Sequence, residues 1–90
     1  MLSYPMRSVQ FESKSWEEFT EWQFNDAKIW KKVVELIDEA RRNSFEGKGK
    51  PEALKHTYKG YWSRRITQEH RLVYKVFDDE IIIVACRGHY

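Results

Sequence analysis

Ninety residues carry sixteen Lys and Arg against fourteen Asp and Glu, a formal net charge of +2, with 16% aromatics and one cysteine. That is one small domain with no room for a second core, and its aromatic side chains have to supply much of the buried area. The longest apolar run, residues 81–86, is far short of the ~18 residues of a membrane span; the first ten residues lack the apolar core of a secretion signal; and the lone Cys86 cannot form an internal disulfide, so a reducing cytoplasm is the expected setting.

Residues 7–11, RSVQF, suit a short first strand. SWEE at residues 15–18 follows the capping-box pattern, with Ser15 and Glu18 at the start of a helix. Trp16, Phe19 and Trp22 then recur at helical spacing, as core rather than site positions. Asn25 or Asp26 ends this helix and caps a second. There Ile29, Val33, Leu36, Ile37 and Ala40 form an apolar stripe, and Arg41 and Arg42 suit its negative end. Gly47, Gly49 and Pro51 make residues 43–52 a loop, flexible enough to carry Lys48 and Lys50 toward a ligand. Its glycine spacing and ending are wrong for a P-loop. YWSRRIT, RLVYKVF and IIIVACR follow as three strands of a meander. The predicted order is β-α-α-β-β-β: an α+β fold with two amphipathic helices on one face of a small, mainly antiparallel sheet.

Charge is unevenly spread. Residues 1–40 carry a net −3, residues 41–71 a net +6 and residues 72–90 a net −1. The basic middle interleaves cations with Tyr58, Tyr61 and Trp62, a mixture that suits phosphates and bases, although a solvated face has the same composition.

Strand alternation then sorts side chains onto two faces. With Thr67, Gln68 and Glu69 as a three-residue turn, Trp62 and Ile66 join Leu72 and Tyr74 on the core face, and Arg65 lies opposite Arg71. Arg64 points inward by parity, its long stem expected to snorkel out at a sheet edge. With Asp78, Asp79 and Glu80 as the second turn, Phe77 pairs with Ile81 and Leu72 with Cys86. Ile82, Val84 and Cys86 then face the core, and Arg87 and His89 share the opposite face with Arg65 and Arg71.

That face has the parts for phosphoryl transfer. Paired arginines grip a phosphate or neutralise charge developing on it, and an imidazole such as His89 carries protons near neutral pH. Glu52, at the end of the glycine-rich loop, is the nearest carboxylate. One group takes the proton of a ribose 2′-hydroxyl, the oxygen attacks the adjacent phosphate, and another group protonates the leaving 5′-oxygen. His56, His70 and His89 lack ligand spacing and Cys86 has no partner motif, so neither metal nor cofactor is expected. On residues alone, an RNA-cleaving site and a binding-only basic face carry equal weight.

The stretches FEGKGKPEALKH, GYWSRRITQEHRLVYKV and ACRGHY resemble, in order and in spacing, the YoeB toxins of bacterial toxin–antitoxin systems, within the RelE-like superfamily. The resemblance covers residues 7–90 of a single domain, with residues 1–6 as a flexible N-terminal extension. It implies a RelE-like, microbial-RNase-like fold and a ribosome-dependent endoribonuclease that cuts messenger RNA in the A site. Glu52 would be general base, His89 general acid and Arg71 the phosphate stabiliser, with Tyr90 orienting the substrate or the acid. Lys55 and Arg65 match further basic positions of the family site; Lys48, Lys50 and Arg87 complete the candidate substrate contacts. The products would be a 2′,3′-cyclic phosphate or 3′-phosphate and a 5′-hydroxyl. The implied partners are a YefM-like antitoxin, the ribosome with its message, operator DNA mainly through the antitoxin, and a second copy of the chain. Gly88 departs from the pattern, standing where relatives often carry a bulkier residue, and glycine loosens the link between Arg87 and His89. Two roles stay open for Glu52: base, or organiser of the surrounding cations.

Overall fold

The structure, a computed structural model, describes residues 6–88. The proposed extension at residues 1–6 falls almost entirely outside them, as do His89 and Tyr90. Strand β1 (Ser8–Phe11) turns Val9 and Phe11 toward the core. Helix α1 (Ser13–Asn25) and helix α2 (Ala27–Arg42) follow, separated by Asp26. The Asp26 carboxylate accepts the Lys28 and Ile29 amides at 3.1 and 3.2 Å, the N-cap the sequence indicates. On α2 the expected stripe is the buried one: Val33, Leu36, Ile37 and Ala40 lie in the core, with Ile29 packed against it. Trp22 of α1 is buried, whereas Trp16 is 51% exposed at the outer end of the helix.

Ser15 and Glu18 are not a capping box. α1 begins two residues earlier, and its N-cap, Glu12, makes no side-chain cap. Instead both residues are buried and reach across to the sheet. Ser15 Oγ donates to the Ile83 carbonyl at 2.6 Å, and Glu18 Oε1 accepts the Cys86 amide at 2.8 Å. The pattern matched a cap because the same short polar groups serve equally well as cross-links to an adjacent strand.

β2 (Glu52–Ala53), β3 (Tyr61–Arg65), β4 (Arg71–Val76) and β5 (Glu80–Ala85) complete a five-stranded sheet of order β1-β5-β4-β3-β2. β1 runs parallel to β5 and the other pairs are antiparallel. The α+β architecture is therefore as predicted, with one addition: β2, within the predicted loop region, is a short edge strand paired through Glu52 with Ser63 and Ala53 with Trp62.

The β3–β4 hairpin has the predicted register, with Arg65 opposite Arg71 and Trp62 opposite Tyr74. The β4–β5 hairpin differs. Val76, not Phe77, pairs with Ile81, and the turn spans residues 77–80, closed by the Phe77 amide on the Glu80 carbonyl at 2.8 Å. Ile81 and Ile83 consequently face the core in place of Ile82 and Val84. The register then shifts: Tyr74 pairs with Ile83 but Val73 with Ala85, leaving Val84 bulged. An inserted residue reverses strand parity, which returns Leu72 and Cys86 to the core together, as predicted.

Arg64 departs furthest from expectation. Its side chain does not snorkel; the residue is fully buried. Nε donates to Tyr74 Oη at 2.9 Å, Nη1 to the Lys48 carbonyl at 2.8 Å, and Nη2 to the carbonyls of Glu46, at 3.0 Å, and Asn43. Tyr74 Oη in turn donates to the Ser44 carbonyl at 2.8 Å. A buried charge is tolerated when it is well hydrogen-bonded, and here each guanidinium nitrogen finds an acceptor, three of the four acceptors being loop carbonyls. The glycine-rich segment is thus pinned from below rather than free to swing. Gly49 completes it: at φ +84° it sits where a Cβ would come within 2.8 Å of Leu36 Cδ2 and 3.1 Å of Arg64 Cβ.

Candidate active site

The helices cover one sheet face, and Glu52, Arg65 and Arg71 lie on the other. Glu52 pairs with Ser63, Arg65 lies two residues along β3 from Ser63, and Arg71 pairs with Arg65. Alternation puts all of them on the face opposite Leu72 and Tyr74. Glu52 and Arg65 are exposed and Arg71 is half-buried.

The loop supplies the near wall. The Arg65 amide donates to the Gly49 carbonyl at 2.6 Å, which holds Lys50 beside Arg65. Lys50 has φ +52°, and Pro51 follows it. An L-residue held left-handed costs about 1 kcal/mol or more, so the fold maintains this cation's position against a local preference. Between loop and hairpin lies an open cleft of about 670 Å³ lined by Lys32, Lys50, Arg65, Thr67, Gln68 and Arg71 among others. Four cations and no carboxylate in the lining make it electropositive, the character that suits an anion.

Arg71 is oriented by its own hairpin. Its Nη1 donates to the carbonyls of Thr67, Gln68 and His70 at 2.8, 3.2 and 3.2 Å. Among the described residues these bonds leave Nε and Nη2 for a ligand, the fork that suits a phosphate.

The predicted residues divide into three groups. Lys50, Arg65 and Arg71 meet in the cleft, with Glu52 on the same sheet face but outside the lining. Lys48 and Lys55 are exposed and also outside it; the Lys48 carbonyl serves as an anchor for Arg64. Arg87 lies elsewhere, contrary to its predicted face. β5 ends at Ala85, and the Arg87 guanidinium sits 4.8 Å over the Trp22 ring while Nη1 donates to Glu21 Oε1 at 3.0 Å. It is held on the α1 side because the chain turns after the strand, where parity no longer applies. His89 and Tyr90 lie outside the described residues. Lys32, on α2, went unrecognised: nothing in a helical repeat tells which lysine overhangs a cleft.

Residues 86–88, which lead to His89, are tightly bound. Besides the Glu18 bond, Trp22 Nε1 donates to the Cys86 carbonyl at 2.8 Å. The Gly88 amide donates to His70 Nδ1 at 2.9 Å, and the Arg71 amide to the Gly88 carbonyl at 2.9 Å. Gly88 adopts φ +88°, a glycine conformation. Among the described residues no cluster of His, Cys, Asp and Glu is arranged to hold a metal ion, and no helix is long and apolar enough to cross a membrane.

A helix pair packed on one sheet face, with a cationic cleft where α2, the glycine-rich loop and the β3–β4 hairpin meet, defines a small α+β domain whose surface suits an anion. Residues 11–90 match the family described as YoeB-like toxin of bacterial type II toxin–antitoxin system, and the chain belongs to that family. It is 60% identical to the toxin YoeB of Escherichia coli K12 over 77 residues, covering 86% of this chain and 92% of that one. The fold matches a YoeB dimer from Staphylococcus aureus with a TM-score of 0.87 at 45% identity, over 94% of this chain and 99% of the other. A heterotetrameric YoeB–YefM toxin–antitoxin complex from the same species matches with a TM-score of 0.85 at 46% identity, over 93% and 98%.

Proposed function

We propose that the chain is a ribosome-dependent endoribonuclease that cuts messenger RNA in the A site and so stops translation. The observation that carries this is the shared face of Glu52, Arg65 and Arg71 beside a cleft lined by cations. In this reading Glu52 takes the proton of a ribose 2′-hydroxyl, and the oxygen attacks the adjacent phosphorus. Arg71, steadied through Nη1, and Arg65 balance the charge that builds on the phosphate. His89 gives a proton to the departing 5′-oxygen, and Tyr90 orients the acid or the substrate. The bond to the 5′-oxygen breaks as the bond to the 2′-oxygen forms, leaving a 2′,3′-cyclic phosphate and a 5′-hydroxyl. Lys50, with Lys48 and Lys55 outside the cleft, binds the flanking backbone. No metal is required by this scheme.

The relatives' assemblies, a YoeB–YefM complex and a YoeB dimer, support two parts of the partner reading: a YefM-like antitoxin neutralises this chain, and the free toxin pairs with itself. The rest of the proposal, a cytoplasmic setting and repression of its own operon mainly through antitoxin contacts to DNA, rests on the family resemblance.

Primer extension on a translated message tests the reaction. The wild type is expected to leave a new 5′ end inside the occupied A site, and only when ribosomes are present. His89→Gln and Arg71→Ala should abolish it while remaining folded. Normal cutting by both variants overturns the site assignment. Inhibition without cleaved ends means the basic face only binds RNA or the ribosome.

A further inference from the structure

The acid of the proposed reaction follows Gly88 in the sequence, and two bonds hold the Gly88 backbone. Both come from the His70-Arg71 dipeptide: His70 Nδ1 accepts the Gly88 amide, and the Arg71 amide donates to the Gly88 carbonyl, each at 2.9 Å. A bond accepted at Nδ1 needs that nitrogen free of a proton, so the neutral ring carries its hydrogen on Nε2. Nε2 faces Glu69 Oε1 at 3.7 Å. The ring stands edge-on to Trp22, with centroids 4.9 Å apart, and Trp22 itself binds the Cys86 carbonyl. His70 is therefore held by its Nδ1 bond and by the Trp22 ring, while the Glu69 carboxylate stands beyond hydrogen-bond distance. Its Nδ1 is occupied by a backbone amide, which leaves that nitrogen no part in proton transfer.

Among the described residues Gly88 has few other restraints. A Cβ there would meet nothing within 4 Å, so no close packing at that point fixes the backbone. The hydrogen bonds do. Arg71 also extends its side chain toward the phosphate cleft, so one dipeptide holds the phosphate clamp and the stem of the acid in a common frame.

We propose that His70 is a positioning residue for the cleavage reaction: by accepting the Gly88 amide it sets the path to His89 relative to the Arg71 guanidinium. The inference rests on the nuclease reading and adds a residue to it. Misplacing an acid by about 1 Å costs on the order of a hundredfold in rate, so losing the acceptor should slow cleavage without weakening ribosome binding.

Two substitutions separate the acceptor from the ring. His70→Phe keeps the contact with Trp22 and removes the acceptor; His70→Asn places a carbonyl oxygen near the Nδ1 position and removes the ring. Single-turnover cleavage on programmed ribosomes should fall about tenfold or more in kcat for His70→Phe with KM little changed, and His70→Asn should recover most of it. Exchange of the Gly88 amide with solvent should speed up in His70→Phe and stay slow in His70→Asn. In isotope-labelled wild type, a through-bond coupling between Gly88 N and His70 Nδ1 should be measurable, which needs no variant to fold. If His70→Phe cuts at the wild-type rate while His89→Gln is inactive, the positioning role is wrong and the nuclease reading stands. If wild type leaves message intact although the coupling is present, the nuclease reading fails and takes the catalytic part of this inference with it. An absent coupling or an unprotected Gly88 amide in wild type overturns the clamp itself.

Discussion

Arg64 Nε and Tyr74 Oη meet at 2.9 Å inside the core, and both side chains spend their remaining polar capacity on the backbone of residues 43–48. No carboxylate answers this guanidinium in the described residues; a phenol and three carbonyls do. Burial, the larger influence, raises the Tyr74 phenol above its ordinary value, against the opposing pull of the Arg64 hydrogen bond and charge. The pair therefore connects the sheet to the loop that carries Lys50, and loop order becomes a property of the core. Replacing Arg64 by Met would leave three carbonyls and a phenol without donors. The expected loss is on the order of 3 kcal/mol, read as a lower urea midpoint. Proteolysis should then begin within residues 43–50, before the rest of the domain opens.

The strained cation gives a prediction of opposite signs. Lys50→Gly relieves the positive φ, and after the entropy cost of glycine a gain of up to about 1 kcal/mol in stability is expected. The same change removes one of the four cleft cations, so cleavage of ribosome-bound message should weaken, with a shallower dependence on salt. A variant both more stable and fully active would show that this lysine takes no part in binding.

Much of this was readable from the chain, and the failures share a cause. The Asp26 cap, the α2 stripe and the β3–β4 register follow from local chemistry and period, which the sequence displays directly. Arg65 opposite Arg71 is one consequence. The errors arose where a long-range partner decided the outcome. Ser15 and Glu18 fit a cap until Ile83 and Cys86 claim them, and the bulge at Val84 is silent in a run of apolar residues. Arg64 pointed inward by parity, but the carbonyls that receive it belong to a loop sixteen to twenty-one residues earlier. The Arg65–Arg71 pair was accessible for the same reason as the hairpin register. Glu52 was singled out only as the nearest carboxylate, because the edge strand that puts it on that face reads as loop; Lys32 and His70 were not accessible, because their roles depend on how α2 and residues 86–88 lie against the hairpin.

Glu52 separates two forms of the mechanism. As general base it should contribute on the order of a hundredfold or more, and Glu52→Gln should lose that factor with ribosome binding intact. Its exposed place on the short edge strand β2 makes a large folding defect unexpected. A Gln variant that keeps most of the rate excludes the base role and leaves Glu52 as an organiser of the cations.

Cys86 supplies a test that needs no ribosome. The residue is fully buried, and burial, reinforced by the Glu18 carboxylate, pushes its thiol up to about 12 from an ordinary value of 9.0, with Arg87 opposing. Reactivity requires the thiolate, so native protein should resist iodoacetamide near neutral pH and react once unfolded in urea. The shift also makes stability depend on pH. Because the native thiol holds its proton to higher pH than the unfolded one, its contribution is complete below 9 and is lost as pH climbs toward 12. Tyr74, raised from 10.0, acts in the same direction at the upper end of that window. Urea midpoints measured from about pH 8 to about pH 10.5 should decline for wild type and decline less for Cys86→Ala. The cavity left by Ala lowers the whole curve by a roughly constant amount of about 1 kcal/mol, so the slope, not the height, reports the thiol. Equal slopes would mean that the thiol ionises as readily in the native protein as in the unfolded chain, and that the latch joining Glu18, Trp22 and Cys86 opens in solution.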